Sequence, residues 1–188
     1  MNRFCTLLLS LIIVCLLSAC TVDDTISHDS ICRFTFTEQY HSASQLFVAV
    51  KNPGSYAFVW TRGDGKKVVR RVYVLPNTEG AVEEVNNITV AIENNLNYVL
   101  GTSNEIGLII GMTNFNGTRA YDRCCPNCIV QRALQWTGSN RQKVVCGTCQ
   151  RIYELESGVV SEGAQSADDR PLKRYNCVYN GIAINVWN

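Results

Sequence analysis

Apolar and polar positions alternate every second residue through much of this chain, which is the period of a half-buried strand. Arg33-Phe34-Thr35-Phe36-Thr37 alternates cleanly, and Tyr56-Ala57-Phe58-Val59-Trp60 is a denser run of β-forming types. Asn52-Pro53-Gly54-Ser55 lies between them with turn chemistry, so residues 31–62 read as two strands. Gly63-Asp64-Gly65 then joins Tyr56–Thr61 to Val68–Leu75 as a tight hairpin, and Asn116-Gly117 joins Gly107–Phe115 to Thr118–Tyr121. Around Asn180-Gly181 a third hairpin puts Tyr175, Cys177 and Tyr179 on one face of the incoming strand. Ile182, Ile184 and Val186 share one face of the outgoing strand. Between Glu79 and Leu100 the apolar residues Ala81, Val85, Ile88 and Ile92 fall near helical spacing. Asn86, Asn87, Asn94, Asn95 and Asn97 are poor helix residues, so a short helix or turn is expected there. No segment sustains a long 3.6-residue period, and the pattern predicts an all-β fold, an antiparallel sandwich or open barrel.

The first residues break this pattern. Arg3 is followed by an apolar run from Leu7 to Leu17, then by Leu17-Ser18-Ala19-Cys20, which resembles the lipobox of bacterial lipoproteins. Residues 1–19 are therefore expected to be a signal peptide, with Cys20 the lipidated first residue of the mature chain. That implies a membrane partner through a lipid anchor, in the bacterial cell envelope at the outer membrane. Residues 20–30, with Asp23, Asp24 and Asp29, read as a solvated tether without fixed structure, followed by one domain over residues 31–188.

Charge excludes a class of partner. The 188 residues carry 17 Lys+Arg against 16 Asp+Glu, and no basic run exceeds short pairs such as Lys66-Lys67 and Arg70-Arg71. Nothing here draws the chain to nucleic acid.

Ten cysteines change the picture most. Cys5 and Cys15 lie in the leader and Cys20 takes the lipid. Of the remaining seven, Cys125, Cys128, Cys146 and Cys149 form two C-x2-C loops at the spacing of a tetrahedral thiolate site. Each such loop converges two sulfurs and aims backbone N–H groups at them; Pro126 and Gly147 suit the tight turns. Zn²⁺, a single iron, a [2Fe–2S] cluster and a pair of disulfides all accept four cysteines in this arrangement. An exported chain lives where disulfides persist, so that last state counts. Cys32, Cys124 and Cys177 are then left for at most one further disulfide, whose pairing the sequence does not choose.

The residues around the second loop carry a family resemblance. Cys146-Gly-Thr-Cys149-Gln-Arg-Ile-Tyr153, Gly158-Val-Val160, Pro171-Leu172-Lys-Arg-Tyr175 and Asn180-Gly181-Ile-Ala-Ile184 follow one another in the order of a Rieske domain's second half. Cys125-Pro126-Asn127 resembles the start of the first Rieske cluster loop. The chain thus resembles a Rieske-like domain lipoprotein of Gram-negative bacteria, with motifs over residues 100–188 and a knuckle subdomain at 121–155. The resemblance implies a β sandwich bearing its site at one tip.

Its chemistry departs from that family. The two family histidines fall on Asn127 and Cys149, and the only histidines of the chain, His28 and His41, lie far upstream, where surface placement is expected. A His₂Cys₂ cluster is excluded, and the four cysteines read as one site of the zinc-ribbon or rubredoxin kind. The single arginine of Asn2-Arg3-Phe4 points to export of an unfolded, empty chain, which favours Zn²⁺ or disulfides over iron.

Other chemistry is thin. No histidine accompanies the cysteines to make a hydrolase, and Glu83-Glu84 and Asp168-Asp169 read as solvated surface. Trp60, Trp136 and Trp187 read as core or rim packing, with a ligand surface as the other use. The sequence thus predicts a lipid-anchored envelope protein with a structural metal or disulfide site and a non-catalytic structural or binding role toward a protein or glycan. Electron transfer on a [2Fe–2S] cluster or single iron is the alternative.

Overall fold

The computed structural model describes residues 26–62, 71–94, 96, 98–138 and 141–188. The expected leader, Cys20 and the Gly63-Asp64-Gly65 turn lie outside the described residues. The strands are β1 (Cys32–Thr37), β2 (Ser55–Thr61), β3 (Arg71–Pro76), β4 (Glu84–Asn87), β5 (Val99–Leu100), β6 (Leu108–Met112) and β7 (Thr118–Asp122). They continue as β8 (Gln135–Trp136), β9 (Lys143–Val145), β10 (Ile152–Glu154), β11 (Val160–Glu162), β12 (Arg174–Tyr179) and β13 (Ala183–Trp187). Among the described residues the α-helices are α1 (Gln45–Lys51) and α2 (Ala91–Asn94), and a 3-10 turn spans Glu38–Tyr40.

These strands form two open antiparallel sheets, one of nine strands in the order β4-β3-β2-β6-β7-β12-β13-β1-β5 and one of four in the order β11-β10-β9-β8. The all-β expectation holds. The dense apolar run in β2 now has a cause: its two faces serve two cores. Ala57 and Val59 join Phe34, Phe36, Leu108, Ile184 and the buried face of α1 in the first. Tyr56, Phe58 and Trp60 join Ile109, Tyr121, Leu134, Val144 and Tyr153 in the second, between the large sheet and the small one. Each fully buried side chain of this size contributes about 1.5–3 kcal/mol.

The Asn116-Gly117 and Asn180-Gly181 hairpins are as read. Gly117 and Gly181 take φ of 72° and 84°, the left-handed region these turns require, and Cys177 faces Val186 while Tyr179 faces Ile184 across the β12–β13 ladder. Ile182 sits at the turn itself and is exposed.

Two expectations need correction. Residues 31–62 contain a helix between the two strands: Ser44 caps α1 by accepting from the Leu46 N–H at 3.3 Å, and Leu46, Phe47, Ala49 and Val50 are buried. Seven residues are too few to establish a period, which hid it. The short helix expected between Glu79 and Leu100 is present as the four-residue α2, between β4 and β5. The end of the expected tether is docked: Ile26 bridges Arg174, the Ser27 N–H donates to the Arg174 carbonyl at 2.8 Å, and Asn188 Nδ2 donates to the carbonyls of Ser27 and Ser30. The β12–β13 ladder begins at Asn176, so β13 leaves the edge of β12 at Arg174 uncovered, and this backbone fills it. Among the described residues no helix is long and apolar enough to cross a membrane.

Candidate metal centre

The first cysteine loop leaves the end of β7 under the control of a buried carboxylate. Asp122 is fully buried; its Oδ1 accepts the Cys124 N–H at 2.8 Å, and its Oδ2 accepts Thr102 N–H, Thr102 Oγ1 and Tyr175 OH at 2.8, 2.7 and 2.9 Å. Four donors balance the cost of burying the charge. The loop closes on itself where Cys125 N–H donates to the Arg132 carbonyl at 2.8 Å.

The second loop leaves β9. Cys146 N–H donates to the Arg151 carbonyl at 3.0 Å and Gln150 N–H to the Cys146 carbonyl at 2.9 Å. Its left-handed residue is Gln150, with φ 59°; Gly147 adopts no positive φ, and a side chain there would meet open space. The glycine this turn needs is distant in sequence: a Cβ on Gly163 would stand 2.5 Å from the Gln150 carbonyl oxygen.

Together the loops bring the four predicted sulfurs to within 4.8 Å of one another. Cys125 and Cys149 are 3.7 Å apart, Cys128 and Cys146 3.6 Å. A tetrahedral ion with 2.3 Å metal–sulfur bonds sets its thiolates about 3.8 Å apart, so the donor set fits a single ion. Bonded sulfurs would stand at about 2.05 Å, and all seven described cysteines are free thiols. Cys125 and Cys146 are buried; Cys128 and Cys149 are half-buried at the edge.

The surroundings sort the sulfurs electrostatically. Burial pushes the Cys125 thiol up, opposed by the Tyr153 hydroxyl at 3.4 Å and the Asn127 N–H. Burial, and then its sulfur neighbours, push Cys128 up as well. At Cys149 burial also acts upward, but the backbone N–H and guanidinium of Arg151, joined by the Cys146 and Cys125 sulfurs, outweigh it and bring the thiol down to about 7. Backbone donors of the expected kind thus exist, although the second lies just past Cys149 and not inside its loop.

Residues to which the sequence reading gave no part in the site hold this arrangement. Asn127 Nδ2 donates to Tyr153 OH at 2.9 Å and to the Arg170 carbonyl at 2.7 Å, while its Oδ1 accepts the Arg170 N–H at 2.9 Å. Gln165 Nε2 donates to the Cys149 carbonyl at 2.8 Å. Arg151 pairs with Asp169 at 2.7 Å with both side chains largely buried, so Asp169 is not the solvated surface expected of it. The only sequence signal was the polar stretch 163–170 following the second loop; nothing in it named a partner.

The other candidates lie elsewhere. Cys32 is buried in the first core and Cys177 packs against it, with burial pushing both thiols up to about 12. Cys124 is buried beside the first loop, and none of the three is bridged. His28 is exposed. His41 is not the surface residue expected: its ring stacks on Phe36 at 4.3 Å, and its Nε2 meets Glu93 Oε2 at 2.8 Å. Trp136 stacks on Phe58 at 3.8 Å and Trp60 on Tyr73 at 5.7 Å, both as packing, while Trp187 stays partly exposed.

Fold and site define an all-β protein with a four-cysteine cluster able to hold a metal ion. Comparison with protein-family models, with curated proteins and with solved structures returned no match.

Proposed function

We propose that this chain is a Rieske-like, lipid-anchored protein of the bacterial cell envelope whose four cysteines bind one Zn²⁺ as a structural centre. The observation that carries the metal reading is the sulfur cage itself, four thiols within 4.8 Å with loop-to-loop contacts of 3.7 and 3.6 Å. A closed set of four thiolates leaves no position for water or substrate, so the role is non-catalytic: the ion ties the two cysteine loops together beneath a surface that binds a protein or glycan partner. The lipobox-like Leu17-Ser18-Ala19-Cys20 supports the anchor, and the order of motifs after Cys146 supports the family reading.

A second reading keeps the same cage with a single iron and electron transfer. The Tyr153 hydroxyl and the Asn127 and Arg151 N–H groups, all directed at sulfur, favour it, because such bonds set the potential of an iron–thiolate centre. A [2Fe–2S] cluster places its thiolate pairs on separate irons and asks for a wider spread than this cage has. Metal analysis and a visible spectrum of the purified protein decide. One zinc per chain and no colour is the expected result; absorption bleached by dithionite would establish the iron reading. Labelling with a radioactive fatty acid, lost in Cys20→Ser, tests the anchor.

A further inference from the structure

We propose that the cage is also a redox clasp: on oxidation by a peroxide its cysteines pair across the two loops, Cys125 with Cys149 and Cys128 with Cys146, and the ion leaves. This rests on the metal reading above and assigns the same sulfurs a second, metal-free state.

Three features support it. The 3.7 and 3.6 Å contacts each run from one loop to the other and use every sulfur once, so both bonds can form in one molecule. Each pair joins a buried sulfur to a half-buried one, which gives an outer atom for the oxidant to reach and an inner atom to resolve it. The loops are also held by bonds that need no ion: Cys125 N–H to the Arg132 carbonyl, Asn127 to Arg170, and Gln165 to the Cys149 carbonyl. With the ion gone, the sulfurs therefore stay within reach of one another.

The chemistry balances with a peroxide as oxidant. The Cys149 sulfur attacks one peroxide oxygen; the S–O bond forms, the O–O bond breaks, and the second oxygen departs as hydroxide. The Arg151 guanidinium beside Cys149 steadies the negative charge at this step. The Cys125 thiolate then attacks the sulfenic sulfur; the S–S bond forms, the S–O bond breaks, and the displaced hydroxide leaves as water after taking a proton from solvent. A second peroxide oxidises Cys128 and Cys146 in the same way. Disulfide sulfur is no longer an anionic ligand, so the ion is released.

The sequence supplies the test. Trypsin cuts after Arg123, Arg132, Arg141, Lys143 and Arg151, which places the first loop in peptide 124–132 and the second in peptide 144–151. The full chain, purified reduced with zinc, is treated with hydrogen peroxide, alkylated, digested and weighed. The expected product is the two peptides joined by two disulfides, with one zinc per chain appearing on a colorimetric chelator and both changes reversed by a thiol reductant. Separate peptides, each closed by a disulfide within its own C-x2-C loop, would overturn the proposal, as would fragmentation that locates a bond at Cys124. Cys149→Ser should leave the peptides joined by one bond, between Cys128 and Cys146. A reduced chain without zinc defeats the metal reading alone, because the peptide linkage still reports the pairing.

Discussion

The two halves of this protein are stable for different reasons. The nine-stranded sheet has strands of up to seven residues whose inner face buries Phe34, Phe36, Val59, Leu108, Ile110 and Ile184 around α1. The small sheet has strands of two or three residues, and its loops depend on specific polar contacts and on the four cysteines. Aromatic residues of β2, Tyr56, Phe58 and Trp60, join the halves. Apolar burial is tolerant of detail and makes a scaffold, whereas a four-cysteine cluster can hold an ion only at one geometry.

Breaking the cage should show the largest effect. Cys146→Ser is expected to abolish stoichiometric metal binding, and structural zinc sites are worth on the order of 10 kcal/mol of binding energy. Hydrogen exchange should then rise across residues 121–155 while the nine-stranded sheet keeps its protection; loss of both together would refute the separation. Next is Phe36→Ala in the first core, expected to cost about 3–5 kcal/mol in denaturant melts. Its remaining folded fraction should still bind metal normally.

Asp122 belongs to both halves, since it holds the Cys124 N–H on one side and Thr102 and Tyr175 on the other. Asp122→Asn turns two donors toward donors and should cost about 1–3 kcal/mol. It should also weaken metal affinity, measured by chelator competition, which Phe36→Ala does not do. The smallest effect concerns the outer clamp. The Arg151 guanidinium, then the Gln165 N–H, hold the Asp169 carboxyl down at about 2. A carboxyl lower in the folded state than in the unfolded one stabilises above the ordinary carboxylate range and loses that contribution as pH falls. The stability difference between the wild type and Asp169→Asn should therefore be constant above about pH 5, shrink as pH falls, and vanish only below about pH 2. A difference that grows with acidity would show that the pair is not the cause.

Much of the scaffold was legible because strand signals are local. Alternation marked β1, and Asn-Gly pairs marked two hairpins. α1 was not legible: a seven-residue helix leaves no period, and its β-branched Val48 and Val50 argue for strand. His41 was placed at the surface because a lone polar residue gives no sign of its neighbours, yet Phe36 and Glu93, one distant in sequence, enclose it.

The candidate site divides the same way. Spacing alone determined that Cys125, Cys128, Cys146 and Cys149 lie together, because a C-x2-C turn fixes two sulfurs within a few bonds of backbone and two such turns complete one cage. Which sulfur faces which, which are buried, and that Asn127, Arg151, Tyr153, Gln165 and Asp169 hold the cage were decided only by the tertiary structure. Those contacts join residues up to 43 positions apart, across two loops and a covering segment, and side-chain partners at such separation leave no pattern along the chain.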